Sequence, residues 1–414
     1  MSPEPSAGEP HVFTYRPFAI FWASRVIGGL ALQMQVVAVG WQVYELTGDP
    51  LDLGLVGLIQ FLPSIILLLL VGQVADRMNR RWVVFFARIL LALAVSVLVF
   101  ASATGQISRD LIFVVVFFIG IAQAFHMPTS QAMIPGLVPA AALPKAIAWG
   151  SIGFQSASII GPAIGGLLYI AGPTTAYSVC LVLQLLAAGL ILAVKYQRPS
   201  RRREPLNAES LFGGFTFIRS HPVILGAISL DLFMVLLGGA TALMPVFARE
   251  VLLTGPLGLG LLRAAPGVGA VGMAIVFSRW PIRQRVGQWM TVSAIGFGCS
   301  IIGFGLSAYL PLSLFFLVSL GAFDMINVVI RQSIVQLDTP DEMRGRVSSV
   351  STVFIGASNQ LGEFESGLTA SLWGAVPATI VGGCGTVLVA LLWIRLFPAL
   401  WNRDRLIRSD PGPG

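Results

Sequence analysis

Residues 61–100 read FLPSIILLLLV (61–71), GQVADRMNRR (72–81) and WVVFFARILLALAVSVLVF (82–100). Two apolar stretches therefore enclose a short connection that carries three arginines and one aspartate. A helix crosses the hydrocarbon core of a bilayer when roughly 20 consecutive residues are mostly apolar, and arginines collect in the cytoplasmic connections between such helices. The stretch predicts two membrane-spanning helices joined by a cytoplasmic turn.

The same apolar pattern continues along the chain. Of its 414 residues, 56% are hydrophobic and only 11% are charged, whereas a soluble domain carries about 25% charged residues. The apolar runs are too long for barrel strands, which have about ten residues and alternate in polarity. The pattern predicts an all-α integral membrane protein with twelve transmembrane helices. The segments are 17–44, 52–75, 82–104, 110–133, 146–171, 174–195, 222–248, 257–278, 286–308, 311–336, 347–372 and 376–400.

The chain reads as two similar halves. The least apolar internal stretch, KYQRPSRRREPLNAES (195–210), lies near its middle. At an offset of 201 residues, Gln131 matches Gln332 and Gly161 matches Gly362. Such repeats are typical of transporters, so we expect two pseudo-symmetric six-helix bundles. The expected parts are a cytoplasmic N-terminal tail (1–15), a first bundle (16–197), a basic cytoplasmic linker (198–220), a second bundle (221–400) and a cytoplasmic C-terminal tail (401–414).

The basic residues are unevenly distributed between the two sides of the predicted bundle. The tails and the connections after even-numbered segments hold most of them, whereas the other side holds only Arg109, Arg249 and Arg263, the last expected near a helix end. This positive-inside bias places both termini in the cytoplasm. The net charge of +7 is explained by topology, and no nucleic-acid partner is expected.

Three motifs carry a resemblance to a known family. The opening connection has the pattern G-x-x-x-D-R-x-x-R-R, which resembles the signature loop of the major facilitator superfamily. GPAIGG resembles the glycine-proline motif of that superfamily's exporters, and TPDEMRGRVSSV (339–350) resembles its enterobactin-exporter and drug-efflux branch. The loop residues are Gly72, Asp76, Arg77, Arg80 and Arg81, and the glycine motif contains Gly161, Pro162, Gly165 and Gly166.

The resemblance implies how the loop is used. In this superfamily the loop aspartate, here Asp76, helps to lock the outward-facing state, so the loop is the expected conformational switch. Asn79 stands where glycine is usual, a mild change because Asn tolerates left-handed backbone geometry. The corresponding second-half connection, FSRWPIRQRVGQ (277–288), keeps arginines but lacks the acid. The superfamily's usual arginine on the fourth helix is absent, and GIAQAFHMP (120–128) stands in its place.

Inserting a charge at bilayer depth costs at least ~2.5–3.5 kcal/mol, and eight ionisable residues at that depth are candidates for a functional role. They are Arg25, Arg88, His126, Asp231, Asp324, Arg331, Glu363 and Glu365. Arg25 and Asp231 occupy equivalent positions of the two halves, which makes them candidate partners. The alternative is that each lies near a cytoplasmic helix end and Arg25 snorkels to the headgroups. Arg88 is expected to snorkel or to pack.

One face of the tenth segment is polar. Asp324, Asn327 and Arg331 are spaced i, i+3 and i+7 and share that face. In the repeat register their equivalents on the fourth segment include Gln123 and His126. Two related polar faces predict the wall of a central cavity. The alternative is an internally satisfied Asp–Arg network that only holds the tenth segment in place.

The acids of the eleventh segment are further candidates. Glu363 and Glu365 are two residues apart, so they point to different sides of a helix. Burial disfavours the charged form of a carboxylate, which makes such acids candidate proton carriers. The proton-coupling candidates are Asp231, Asp324, Glu363, Glu365 and His126. The cavity candidates, whose glutamines suit an uncharged or zwitterionic cargo, are Arg25, Gln33, Gln123, His126, Asn327, Arg331 and Asn359.

Motifs of other function classes are absent from the sequence. A P-loop needs G-x-x-x-x-G-K-[ST], and neither lysine, Lys145 or Lys195, is followed by Ser or Thr. GVGAVG (267–272) lies in an apolar segment without a preceding strand, so it is a packing run. The three cysteines lie singly, which indicates neither a disulfide nor a metal site. We expect no enzyme activity, no metal and no cofactor.

With the resemblance, the sequence predicts a secondary-active exporter of a small amphipathic molecule of the siderophore or drug class. It would exchange cargo for protons by alternating access, as a monomer in the bacterial cytoplasmic (inner) membrane. Two alternatives stay open. One is a proton-coupled importer of a small metabolite, and the other is a transport-inactive membrane sensor. The direction of transport rests on GPAIGG and the resemblance alone.

Overall fold

The computed structural model describes residues 11–67, 70–71, 74, 78–196, 208–282 and 284–406. These residues are mainly helical and contain no strand. The longer helices are α1 (Arg16–Thr47), α2 (Pro50–Ile66), α3 (Arg80–Ala103), α4 (Arg109–Met133), α5 (Leu143–Ile170), α6 (Pro173–Ala193), α7 (Ala208–Ser220), α8 (Pro222–Leu237), α9 (Gly255–Arg279), α10 (Val286–Leu306), α11 (Leu310–Leu337), α12 (Asp341–Trp373) and α13 (Ala375–Leu396).

The helices confirm an all-α, multi-pass membrane fold. Ten helical stretches in the described parts of the chain are long and apolar enough to cross a membrane. The predicted number of twelve is not reproduced by that criterion, and α2 and α12 account for the difference. The apolar α2 has 17 residues in its described part, fewer than the roughly 20 that a span needs. The 33-residue α12 is more polar and has Asp341 and Glu342 in its first turn.

The predicted seventh segment, 222–248, is not one continuous α-helix. The helix α8 ends at Leu237, and a 3-10 turn (Ala240–Leu243), a single α-turn and a π-helix (Phe247–Val251) follow it. A Cβ atom on Gly239 would overlap the Gly362 carbonyl oxygen of α12. The break therefore lies where the backbone approaches α12 too closely for a side chain.

The chain divides into two compact units. Unit 1 comprises Met1–Ala38 and Leu62–Pro205, and unit 2 comprises Val39–Phe61 and Leu206–Gly414. The end of α1 and the beginning of α2 therefore pack with the second half of the sequence. The sequence repeat assigns these residues to the first bundle. No pattern in the sequence indicates that they pack with the second half instead.

Unit 1 is built around α3, which packs against α4 and α6. A cluster of buried apolar side chains joins the helices and includes Phe18 of α1, Met133 of α4 and Ile191 of α6. The start of α4 is capped by Ser108, whose hydroxyl accepts a hydrogen bond from the Leu111 amide at 3.3 Å. Such a cap satisfies one of the free amides of a first helical turn.

Unit 2 contains close contacts between helix backbones. Helix α11 packs against α9 and α10, and α10 packs against α13. A Cβ atom on Gly269 of α9 would overlap the Val318 carbonyl oxygen, and one on Gly321 of α11 would overlap that of Pro266. Small residues permit this approach in membrane bundles, where packing stabilises helix association.

The C-terminal segment of unit 2 holds the connection that precedes α10. The Arg285 backbone is left-handed, with φ +55°, and its amide donates to the Asp404 carboxylate at 3.0 Å. Arg403 forms an ion pair with Asp338 at 2.8 Å. The second-half connection has no acid of its own. The Asp404 carboxylate of the C-terminal segment contacts it instead.

Candidate functional site

A buried ion pair in unit 2 joins α8 to α11. Arg331 Nε lies 3.2 Å from Asp231 Oδ1, and both side chains are 4% exposed. Arg331 Nη1 also donates to the Ser351 hydroxyl of α12 at 3.4 Å. A single guanidinium therefore connects three helices of this unit.

Asp324 adds a second carboxylate to this group. It lies two turns before Arg331 on α11, and its charge interacts with both Asp231 and Arg331. Asp324 is only partly buried and makes no hydrogen bond within the described chain. When both acids are ionised, one negative charge of the group is unbalanced. Binding one proton removes that charge.

Asn327 completes the polar face predicted on α11. Its side chain is fully buried, and its amide nitrogen lies 3.5 Å from Met234 Sδ and from the Met290 carbonyl oxygen. Its Oδ1 has no hydrogen-bond partner among the described residues. Asn327 and Arg331 are therefore interior residues of unit 2.

The expected pairing of Asp231 with Arg25 is corrected by the structure. The ion pair of Asp231 is formed with Arg331, because α8 and α11 are neighbours within unit 2. Equivalence of positions in the repeat did not identify this partner. The repeat aligns residues that are related by symmetry, and such residues need not be in contact.

A second charge pair in unit 2 includes a residue outside the predicted set. Arg263 of α9 interacts electrostatically with Glu363 of α12. A Cβ atom on Gly57 of α2 would lie 2.6 Å from Glu363 Oε2, and one on Gly40 of α1 would lie 3.7 Å from Arg263 Nη2. Arg263 was expected near a helix end, but it lies in the third turn of α9. Its place on the arginine-poor side was the signal that could have identified it.

Glu365 and Asn359 differ from Glu363 in their surroundings. The Glu365 carboxylate is partly buried and accepts a hydrogen bond only from the neighbouring Ser366 hydroxyl, at 3.5 Å. Asn359 is exposed and donates to the Ile355 carbonyl of its own helix at 2.9 Å. In the described chain, the structure therefore brings Glu363, and neither of these two residues, to a charged partner.

Hydrogen bonds join the end of α1 to the π-helix of unit 2. The Tyr44 hydroxyl donates to the Glu250 carboxylate. Arg249 Nη1 donates to the Tyr44 carbonyl oxygen at 2.9 Å, and its guanidinium carbon lies 5.6 Å from the Tyr44 ring centroid. These contacts explain why residues 39–47 belong to unit 2.

Unit 1 has a different charge pattern, which begins with Arg88. This buried residue of α3 donates to Gln184 Oε1 of α6 at 2.9 Å and to the Ser24 carbonyl oxygen of α1 at 3.4 Å. A Cβ atom on Gly28 would overlap its guanidinium. Arg88 therefore packs in the core of unit 1 and does not snorkel, and both of its hydrogen-bond acceptors are neutral.

Two predicted cavity residues lie near Arg88. Arg25 of α1 is half-buried, and its guanidinium carbon lies 5.9 Å from the Phe21 ring centroid. His126 of α4 is buried and interacts electrostatically with Arg88 and Arg25. Arg25, Arg88 and His126 therefore interact electrostatically within unit 1, whereas Gln123 is only half-buried on α4.

The sequence of this chain matches a family of known membrane proteins. The sequence profile of the major facilitator family described as transmembrane secretion effectors matches residues 11–411. The chain belongs to this family. It is therefore a membrane transporter by family and by fold, and its substrate is a small molecule.

Relatives of this transporter include two named enterobactin exporters. That of Citrobacter koseri is 26% identical over 406 residues, which cover 96% of this chain and 95% of the relative. That of Shigella boydii is 25% identical over 409 residues, with the same two coverages of 96% and 95%.

Solved structures show the same fold at low sequence identity. A POT family transporter in complex with a thioalcohol-conjugated peptide has a TM-score of 0.73 at 12% identity and covers 94% of this chain and 97% of its own. The nucleoside transporter NupG has a TM-score of 0.66 at 15% identity, with coverages of 94% and 99%. These likenesses show the major facilitator fold.

The signature loop of the transporter is described in part. Gly72, Asp76 and Arg77 lie outside the described residues. Arg80 Nη1 donates to the Ala132 carbonyl oxygen near the end of α4 at 2.8 Å. Arg81 Nη1 donates at 3.2 Å to the carbonyl oxygen of the residue that follows α6. Both arginines lie where helix carbonyls end, which favours cations.

The expected role of Asn79 in this loop is wrong. Its backbone has φ −69° and is extended, not left-handed. The side chain instead caps α3 by accepting a hydrogen bond from the Arg81 amide at 3.0 Å. Asn is a preferred N-cap residue, so its presence is explained by the helix that it begins.

The GPAIGG motif of the transporter lies on α5 and contacts α1. A Cβ atom on Gly161 would lie 2.6 Å from Gln33 Cβ, and one on Gly165 would lie 2.8 Å from the Met34 backbone. Gln33 itself donates to the Ser158 hydroxyl of α5 at 3.0 Å. The motif therefore permits a close approach of these two helices in unit 1.

Proposed function

We propose that this transporter exports a small amphipathic molecule of the siderophore or drug class in exchange for protons, by alternating access. The observation that carries the proposal is the charge group of unit 2, in which Asp231 and Asp324 share Arg331. Export is supported by the relatives named enterobactin exporters and by GPAIGG.

Asp324 is the proton carrier in this proposal. Asp231 is committed to its ion pair with Arg331, whereas Asp324 is partly accessible and has no hydrogen bond in the described chain. The charge of Glu363 interacts electrostatically with one cation, Arg263, so it is balanced without a proton. The count of charges therefore favours Asp324 over Glu363.

The cellular setting of the proposal follows from the arginines. A bacterial cytoplasmic (inner) membrane with both termini in the cytoplasm satisfies the positive-inside bias. The partners are the cargo, protons and the lipid bilayer, and the protein works as a monomer without a cofactor or nucleic acid. The gradient supplies ~2.3 kcal/mol per charge per 100 mV. The loop with Gly72, Asp76 and Arg77 is the conformational switch.

The test uses purified protein in liposomes that contain a pH-sensitive dye, with enterobactin as the first cargo. We expect the lumenal pH to change only when cargo is supplied, and cargo to move against the proton flux. Asp324→Asn should abolish the pH change. Asp341→Asn is the matched control, because this aspartate is 86% exposed and makes a surface pair within one helix.

Three results would contradict parts of the proposal. Cargo movement that ignores the pH gradient would exclude proton coupling. Cargo and protons moving in the same direction would indicate an importer. An Asp324→Asn protein that still couples cargo to protons would assign the proton to another acid.

A further inference from the structure

The described part of unit 1 holds a buried arginine, Arg88, and a half-buried one, Arg25, without a buried acid. Arg25 and Arg88 interact electrostatically with each other and with His126. Asp110 is the only acidic residue among those described in unit 1. It lies in the first turn of α4, about 24 Å along the helix from His126. Charges inside a membrane bundle are normally paired, so this group lacks an anion among the described residues of unit 1.

Polar atoms without a partner collect at the same place. His126, Thr129 and Ser130 are spaced i, i+3 and i+4 and share one face of α4, and all three are buried. Within the described chain, no hydrogen bond is made by His126 Nε2, Thr129 Oγ1 or Ser130 Oγ. The buried Arg88 Nε is also unpartnered there. An unpartnered buried polar group is costly, and a ligand with acceptor atoms would supply the missing partners.

One aromatic ring, that of Phe21, lies beside the Arg25 guanidinium. The ring of Trp22, which is close to Arg25 in sequence, packs against that of Trp149. The Arg25 guanidinium carbon is 5.9 Å from the Phe21 ring centroid, and a Cβ atom on Gly150 would lie 3.2 Å from its Nη1. Directly before Gly150 in the chain, Trp149 accepts a hydrogen bond from Trp22 Nε1 at 2.8 Å. Rings of this kind pack against flat apolar groups, so they suit a ligand with a flat body beside its charge.

We propose that Arg25, Arg88 and His126 bind the anionic group of an aromatic or otherwise flat organic acid, which is the cargo. The term cargo rests on the proposed function, but binding needs no transport. A guanidinium binds a carboxylate through two parallel hydrogen bonds, and Thr129 and Ser130 can donate further ones. An acidic cargo thus replaces the uncharged or zwitterionic cargo expected from the glutamines of this unit.

The test is equilibrium binding to the full-length protein in nanodiscs of zwitterionic phosphatidylcholine, without a gradient. Salicylate is the probe, and salicylamide is its neutral counterpart. We expect salicylate to bind at least tenfold more tightly than salicylamide. Arg25→Gln should weaken salicylate binding about tenfold or more, as expected for losing a hydrogen bond between charged groups, and leave salicylamide binding unchanged.

Arg109→Gln is the matched control. Arg109 also lies over a phenylalanine ring, 5.0 Å from the Phe113 centroid, but it is exposed at the beginning of α4, so its loss should leave salicylate binding unchanged. Because Arg88 also connects three helices, Arg88→Lys is used with a thermal melting measurement. It keeps the charge and should retain the preference for salicylate. His126→Gln should weaken salicylate binding without changing the melting temperature by much.

Four outcomes would overturn this inference. Equal affinity for salicylate and salicylamide would show that the site does not recognise the negative charge of the ligand. Inorganic phosphate competing as strongly as salicylate would assign a simple anion site, and displacement of salicylate by phosphatidylglycerol would assign a lipid headgroup. A tenfold gain in salicylate affinity in Asp76→Asn would make Asp76 the counter-ion of the group.

The two proposals fail separately. Selective salicylate binding without proton-coupled cargo movement would refute the proposed function and leave the anion site intact. Proton-coupled export without any preference for salicylate would refute the anion site and leave the proposed function intact.

Discussion

Breaking the Asp231–Arg331 pair should destabilise unit 2 unequally, depending on which partner is removed. Arg331→Gln leaves Asp231 and Asp324 without a guanidinium between them. Asp231→Asn leaves Arg331 with Asp324, which restores a one-to-one balance. Asp324→Asn leaves the ion pair itself intact. We therefore expect Arg331→Gln to cost the most stability, Asp231→Asn less, and Asp324→Asn the least.

The magnitude follows from the distance between the charges. The Arg331 Nε and Asp231 Oδ1 atoms are 3.2 Å apart and both side chains are 4% exposed. With an effective dielectric constant of about 20, Coulomb's law gives about 5 kcal/mol at this distance. Removing one partner of a buried pair costs roughly 3–5 kcal/mol. We expect Arg331→Gln to cost an amount within that range, and the coupling energy of the pair to exceed about 1 kcal/mol, the upper end for exposed pairs.

The assay is a double-mutant cycle on the free energy of unfolding. Purified variants in detergent are titrated with dodecyl sulfate, and the loss of helix is followed by circular dichroism. The cycle contains Asp231→Asn, Arg331→Gln and the double variant. The exposed pair Arg344–Asp341, with a 2.7 Å distance and side chains 46% and 86% exposed, is the matched control. Its coupling should stay below about 1 kcal/mol.

Two results would refute this reasoning. A coupling energy for the buried pair no larger than that of the Arg344–Asp341 pair would show that the 3.2 Å contact does not stabilise the fold. If Asp324→Asn destabilised the protein as much as Arg331→Gln, then Asp324 would be a structural partner of the arginine and not a free carrier.

Three further predictions concern packing and switching. Gly54→Ala should cost about 1–3 kcal/mol of stability, because its Cβ atom would lie 2.9 Å from the backbone Cα of Phe364 in α12; Gly189→Ala, with no atom within 4 Å of its Cβ, should cost nothing in the same titration. Asp404→Asn should weaken the charge-assisted hydrogen bond that it accepts before α10, by about 1 kcal/mol, and hydrogen exchange should show faster exchange of amides 285–287. Asp76→Asn should abolish transport while expression and membrane insertion stay normal, and wild-type transport rates would contradict the switch role.

Apolar runs in the sequence indicate where helices lie, but not how those helices bend or pack, so only part of the fold could be predicted. They set helix positions closely, as for the predicted segment 82–104 and the observed Arg80–Ala103. Hydropathy does not sense backbone hydrogen bonding, so the break after Leu237 and the π-helix Phe247–Val251 were not foreseen. It also cannot show that Val39–Phe61 packs with unit 2, because that choice depends on contacts far apart in sequence.

The sequence predicted which residues belong to the candidate site, but it did not predict which of them contact each other. Charged residues in apolar segments are costly, and this cost singled out Asp231, Asp324 and Arg331. Which charges meet is decided by helix packing, and the Asp231–Arg331 contact spans 100 residues of sequence. Arg263 was missed because a basic residue near a predicted helix end is usually assigned to the interface.

The two similar halves share one polar helix face, but the face carries an acid in the second half and none in the first. On α11 the face has Asp324, Asn327 and Arg331, while the equivalent positions of α4 include Gln123 and His126. Asp324 of unit 2 is thus matched by the neutral amide of Gln123. The described part of unit 1 has Arg25 and Arg88 inside its helices without a buried acid. A repeat that must bind both an anionic cargo and a proton has reason to diverge in this way. Carboxylates beside the cargo site would repel the cargo, whereas carboxylates in the other unit can hold a proton. Under the two proposals, equivalent backbone positions would serve the cargo in one unit and the coupling ion in the other.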